Sequence, residues 1–214
     1  MLFTNPDFSA YMEQLAGSSQ GGHIATRQYA PGAMLLRQGE NIHHVYIIRE
    51  GITKCYMREE NGKDFIFEFL GQGEVTGELE VIRKAACLCT IEAITPVSAW
   101  AIPRDLFSSW LYKDATLNRL VMEELATRLA QTCIRASYQQ IYPLEYGLLR
   151  FLVLIDQQQL HLSKKDIAGY LAISVRSFNR TVKQLREKKV LATEGLQLHL
   201  SEQQLEALLR RFDD

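Results

Sequence analysis

Apolar positions along the chain change their period twice. Phe8, Met12 and Leu15 recur at helical spacing. They predict a short leading helix within residues 1–22, running into the soft loop GSSQGG. From His23 the runs shorten to AMLLRQ, VYIIRE, ITKCYMRE, DFIFEFL, CLCTIEAI and VSAWAIP. Gly-containing turns separate them at Pro31-Gly32, Gly39-Glu40, Glu50-Gly51, Asn61-Gly62 and Gly71-Gln72-Gly73. Short β-branched and aromatic runs between such turns predict a compact antiparallel β-roll from His23 to about Ile102. Asn61-Gly62 is the strongest single hairpin signal.

From about Asp105 the period becomes helical. Arg104 to Leu111 reads as a short helix, and Asp114 to Ile141 as one long helix with no Pro or Gly inside. At about 1.5 Å per residue the long helix spans roughly 40 Å, more than one small roll can cover. Its apolar strip (Leu117, Leu120, Val121, Leu125, Leu129, Cys133, Ala136) drifts round the axis. One part therefore faces the roll and another faces a partner helix, which predicts a two-fold dimer. A monomer with one long amphipathic helix is the alternative. Tyr142-Pro143 ends this helix. A second, nearly all-apolar helix follows from Leu144 to about Asp156, then a Gln-rich turn and a short strand, Leu160-His161-Leu162.

Ser163 to Lys189 carries the clearest chemistry. Ser163 caps a short helix, with Asp166 in its first turn and Ile167, Ala168 and Leu171 on its apolar side. Ala172-Ile173 turns, and Ser174 caps a second helix with Phe178, Val182 and Leu185 facing inward. Arg176, Asn179, Arg180 and Lys183 then lie outward, the layout of a helix-turn-helix. Eight Lys/Arg stand against Asp166 and Glu187, a balance of +6 within a chain of net −1, so the remainder carries −7. A solvated helical hairpin would show the same charge; the caps, turn and stripe argue for a surface that docks on a duplex. Val190 to Thr193, Glu194-Gly195 and Leu196 to Leu200 predict a β-hairpin wing. Ser201 with Gln204 forms a capping box that opens a last helix, EQQLEALLRRF.

Composition adds limits. An apolar fraction of 47% in 214 residues permits a sizeable core and two domains. No run approaches a membrane span, and the start lacks a secretory pattern, so a cytoplasmic location is expected, with no membrane partner. Cys55, Cys87, Cys89 and Cys133 are expected as free thiols. The five histidines (His23, His43, His44, His161, His199) offer no converging ligand set of the kind a cupin-like enzyme needs, so no enzyme, metal or cofactor is expected. His43-His44, with Glu40 and His23 nearby, reads as a surface loop.

The order roll, long helix, winged helix resembles the CRP/FNR family of bacterial transcription regulators across nearly the whole chain. The anchors are Tyr29-Ala-Pro-Gly32, Arg37-Gln-Gly-Glu40, Tyr46-Ile-Ile48 with Gly51, Gly71-Gln-Gly-Glu74, Gly77-Glu-Leu79, and Ser163 through Arg180. Gly77-Glu-Leu-Glu80 and the short last helix are further similar to its YeiL-like branch. The resemblance implies an α+β chain. An N-terminal cyclic-nucleotide-binding-like β-roll (jelly-roll) with its leading helix would occupy 1–113, a dimerisation helix 114–141, and a winged helix-turn-helix 142–214. It implies a homodimer on an inverted-repeat operator in double-stranded DNA, and an RNA polymerase contact for an activator. Base reading falls to Val175, Arg176 and Arg180, and phosphate or flanking contacts to Ser174, Ser177, Asn179 and Lys183. Arg180 matches the family arginine that reads guanine, while Arg176 stands where many members carry an acid, so the half-site should differ. Ala172 replaces a frequent turn glycine.

The same resemblance implies an effector pocket at Gly77, Glu78, Leu79, Cys87 and Leu88. Cys87-Leu88 stand where cyclic-nucleotide members place an Arg-Ser pair for the phosphate, so cyclic AMP binding is not expected. A second reading makes Cys87 and Cys89, side by side on a strand, a redox or metal sensor with Cys133. Packing as small hydrophobes competes with it. A third reading makes the roll a ligand-binding module whose winged helix contacts a protein.

Overall fold

The computed structural model describes residues 2–18, 22–158, 160–210 and 212. Residues 19–21 of the GSSQGG loop, Gln159 of the Gln-rich turn and residue 211 lie outside the described residues, as does the side chain of Glu202. The chain divides into two compact units, 2–130 and 131–214.

The first unit is the roll. Strand β1 (Leu2–Phe3) precedes helix α1 (Pro6–Ala16), where the sequence predicts helix alone. Asn5 caps α1 by accepting from the Phe8 N–H, and Pro6 sits in its first turn. Phe8 and Met12 are fully buried, as their spacing predicts. Then come β2 (Ala25–Tyr29), β3 (Met34–Leu36), β4 (His44–Glu50), β5 (Thr53–Arg58), β6 (Asp64–Leu70) and β7 (Val75–Thr76). Helix α2 (Glu78–Arg83), β8 (Thr90–Ala93), β9 (Val97–Pro103) and helix α3 (Arg104–Lys113) complete it. Two sheets form, in the orders β1-β6-β5-β8-β3 and β2-β9-β4-β7. Each apolar run predicted as a strand of the roll contains one, although in CLCTIEAI the strand starts only at Thr90. The parallel β1–β6 pair and the exposed β2, Ala-Thr-Arg-Gln-Tyr, escape the hydrophobic pattern because neither carries an apolar alternation of useful length.

Gly73 shows why the β6–β7 turn needs glycine. Its φ is +81°, and a Cβ there would lie 1.8 Å from the Asn5 carbonyl oxygen. The turn closes on the same residue through Asn5 N–H donating to the Gln72 carbonyl at 2.8 Å.

Helix α4 (Ala115–Ile141) begins in the roll unit and ends in the second unit. Asp114 starts it by accepting from the Thr116 and Leu117 N–H groups. Burial opposes ionisation of Asp114, but those bonds and the Tyr11 hydroxyl outweigh it and hold the carboxyl below its usual range. Leu117, Leu120 and Val121 are buried in the roll core. Met122, Ala126, Leu129, Cys133 and Ala136 are exposed, repeating at i, i+4, i+7, i+11 and i+14.

In the second unit, α5 (Leu144–Gln157) packs Leu148, Leu149, Phe151 and Leu152 inward. Phe151 stacks on Tyr170 at 4.0 Å. Residues 160–162 are not a strand; Leu160 is buried and its N–H bonds back to the Ile155 carbonyl, extending the turn after α5. Helices α6 (Lys164–Tyr170), α7 (Val175–Glu187) and α8 (Glu202–Arg210) follow. Ser201 and Gln204 make the predicted reciprocal capping bonds. The wing is thinner than a hairpin: one bridge, Leu191 to Leu198, joins its two arms.

Candidate nucleic-acid interface and roll interior

Helices α6 and α7 enclose the predicted turn. Ser163 Oγ accepts from the Asp166 N–H and Ser174 Oγ from the Ser177 N–H, both at 3.1 Å, so each helix starts on a satisfied cap. Ala172 lies in the turn at φ +57°, the left-handed region glycine favours. Phe178, Val182 and Leu185 are buried, which fixes the rotation of α7 about its axis.

That rotation leaves Val175, Arg176, Asn179, Arg180 and Lys183 exposed. Arg176, Arg180 and Lys183 fall at i, i+4 and i+7, one outward line. Among the described residues, neither Arg176 nor Arg180 has an ion pair, so both guanidinium forks are available to an acceptor-rich surface. Lys183 is held loosely by Glu187 at 3.8 Å. Ser177 is half-buried, its hydroxyl bonded to that of Ser174. Arg186, absent from the predicted set, turns to the wing instead: its Nε donates to the Ala192 carbonyl at 3.1 Å and its Nη2 to the Gly195 carbonyl at 2.7 Å.

The predicted effector residues are gathered in the roll but are engaged by the chain itself. Gly77, at φ +95°, precedes α2, and Glu78 opens it, 3% exposed. The Glu78 carboxyl faces Arg128 of α4 at 3.2 Å. Arg128 also meets Glu74 at 2.6 Å, Glu124 at 2.9 Å and Glu68 at 3.8 Å, with its side chain 12% exposed. Four carboxylates on one guanidinium leave an acidic excess. Burial pushes Glu74 up to about 8 and Glu78 up to about 7, against the opposing pull of Arg128. Burial alone would lower Arg128, but the four glutamates raise it, so it stays charged.

At the position of the family's Arg-Ser pair, the Leu88 N–H donates to Glu80 Oε1 at 2.9 Å. A carboxylate there would repel a phosphate, and Cys87 and Leu88 provide no cation. Glu78 is likewise already taken. The residues present do not fit a cyclic phosphate.

The cysteine arrangement differs from the predicted one. β8 begins at Thr90, so Cys87 and Cys89 lie in the turn before it and do not share a strand face. Cys87 is buried and Cys89 half-buried, and the partner of Cys89 is Cys55 on β5. The hydrogen bond from the Cys55 thiol to Cys89, together with burial, pushes Cys55 well above the usual thiol range. Cys133 is exposed on the part of α4 that belongs to the other unit. Among the described residues, no group of three or more His, Cys, Asp or Glu could hold a metal ion.

A cyclic-nucleotide-binding type of roll in one chain with an exposed, capped recognition helix defines a DNA-binding transcription regulator. Residues 26–114 match the family described as "Cyclic nucleotide-binding domain", and residues 160–191 that described as "Bacterial regulatory proteins, crp family". The chain belongs to the CRP/FNR family of bacterial regulators. It is 22% identical to a probable transcriptional regulator, flp, of Lacticaseibacillus casei over 180 residues, covering 81% of this chain and 82% of that one. A solved regulator of the crp/fnr family from Eubacterium rectale superposes with a TM-score of 0.80 at 16% identity, covering 95% of this chain and 99% of that one. The roll alone matches a lysophospholipase, NTE1, of Phaeosphaeria nodorum, at 28% identity over 48% of this chain and 7% of that protein. Among the described residues, no helix is long and apolar enough to cross a membrane.

Proposed function

We propose that this regulator is a homodimer that binds an inverted-repeat operator and reads it through Val175, Arg176 and Arg180, without taking cyclic AMP. The observation that carries the reading is the pair of unpaired arginines on the exposed line of α7. An arginine fork bonds guanine O6 and N7 together. Ser174, Ser177, Asn179 and Lys183 flank that line and position the helix on phosphates. The exposed seam of α4, Met122, Ala126, Leu129, Cys133 and Ala136, keeps heptad spacing and supports the two-fold that pairs the reading heads. Leu125, counted in the predicted strip, packs on the roll core instead. The self-occupied roll interior supports the absence of cyclic AMP binding. An activator of this kind would also touch RNA polymerase, and the cytoplasm is its working place.

Selection of bound oligonucleotides tests the whole reading. A palindromic site with half-sites about one helical turn apart is expected; a non-palindromic product, or none, overturns it. On that site Arg180→Ala should cost about 1–3 kcal/mol, roughly five- to 150-fold in affinity, and relax one position, with the dimer intact. Unchanged operator binding in this variant would remove Arg180 from the reading set.

A further inference from the structure

A cleft between the outer face of β2, β3 and the connection from β3 to β4 serves neither the DNA reading nor the Arg128 cluster. Its volume is about 340 Å³, within the range of small-molecule sites. Met34, Leu36 and Ile42 supply apolar side chains to its lining. Cationic side chains line it from two sides, Arg27 on β2 and Arg37 after β3, against the single carboxylate of Glu40 among the described lining residues.

Arg27 is positioned without being neutralised. Its Nη1 donates to the Tyr46 hydroxyl at 3.3 Å, and its Nη2 lies 3.2 Å from His44 Nε2. A guanidinium has only donors, so His44 must accept at Nε2 and carry its proton on Nδ1. Burial, then the charges of Arg27 and His43, hold His44 below its usual range and keep that ring neutral. Among the described residues, neither Arg27 nor Arg37 has an ion pair, whereas Arg49, Arg58, Arg119 and Arg128 each face a carboxylate.

Two un-neutralised arginines in one lining with apolar side chains suit a carboxylate or phosphate head on a short apolar body. We propose that this cleft binds a small organic anion. The head sits on Arg27 and Arg37, and the body lies on Met34, Leu36 and Ile42. The polar groups involved are distinct from Glu78, Glu80 and Arg128, so the site does not depend on the family's nucleotide cassette.

Calorimetric titration of the full chain with n-butyl phosphate, butyrate and 1-butanol tests this. At least one anion should bind saturably at about one per chain, and 1-butanol should not. Arg27→Gln and Arg37→Gln should each weaken binding at least about tenfold, and Arg83→Gln, outside the cleft, should not. Arg37 is exposed and, among the described residues, its side chain has no bonding partner, so its variant decides the matter even where Arg27→Gln fails to fold. Preference for one anion identifies the head. Absence of binding by both anions at millimolar concentration, equal binding of 1-butanol, or full binding in the arginine variants overturns the site. The titration contains no DNA, so its failure is separable from that of the operator reading.

Discussion

Ala172 and the Arg128 cluster show how much a single side chain decides. An L-residue at φ +57° carries a steric cost that glycine escapes. Ala172→Gly should therefore stabilise the second unit by about 1 kcal/mol, seen as a higher urea midpoint with unchanged slope. The Arg128 cluster predicts a pH dependence. Folded Glu74 and Glu78 keep protons that an unfolded chain releases, so their contribution is full below the ordinary value of 4.5. It is lost as pH rises through about 7 and 8. The roll should melt about 5 °C or more lower at pH 8.5 than at pH 5.5, and Glu74→Gln should flatten that fall. Arg176 and Arg180 were readable in the sequence because each lies two residues from a buried apolar side chain, Phe178 and Val182, which is about half a helical turn and so the opposite face. The Arg128 cluster was not, since its members come from positions 68 to 128 and meet only after the roll closes. One signal was present: Glu124 and Arg128 continue the buried line of Leu117 and Val121 at i+7 and i+11, where apolar side chains belong.

At the scale of elements, the wing is held by a side chain as well as by a short ladder. One bridge and two backbone hydrogen bonds (Ala192 N–H to the Gln197 carbonyl, His199 N–H to the Val190 carbonyl) join its arms, and Arg186 of α7 ties the first arm and the turn to the helix through the Ala192 and Gly195 carbonyls. Arg186→Ala should raise amide exchange at Ala192 and His199 at least about tenfold, leaving α7 protected, as hydrogen–deuterium exchange would show. Equal protection in both forms would mean that the apolar contacts of Leu191 and Leu198 suffice. The wing was legible from Glu194-Gly195 and its flanking apolar runs. Its thinness was not, because pattern gives the return of the chain and not the number of bonds closed. Residues 160–162 make the same point: three alternating residues read as a strand, yet among the described residues no neighbouring strand pairs with them.

For the whole molecule, the exposed seam of α4 gives a direct assay of the proposed two-fold. Cys133 lies on it, while Cys55 and Cys87 are buried and Cys89 is half-buried. Mild oxidation should cross-link most of the protein into a dimer on a denaturing gel, and Cys133→Ser should abolish the band. Retention of the band in Cys133→Ser would place the contact elsewhere. The seam itself is modest. Ala126, Ala136 and Cys133 contribute little apolar area, leaving Met122 and Leu129 as its large side chains. On the proposed two-fold, so little apolar area would make a weak dimer, one whose assembly depends on chain concentration. Where monomer predominates, operator occupancy would then grow with the square of the chain's copy number, and the amount of protein made would become a steep input in its own right, a dosage dial on the genes beneath the operator.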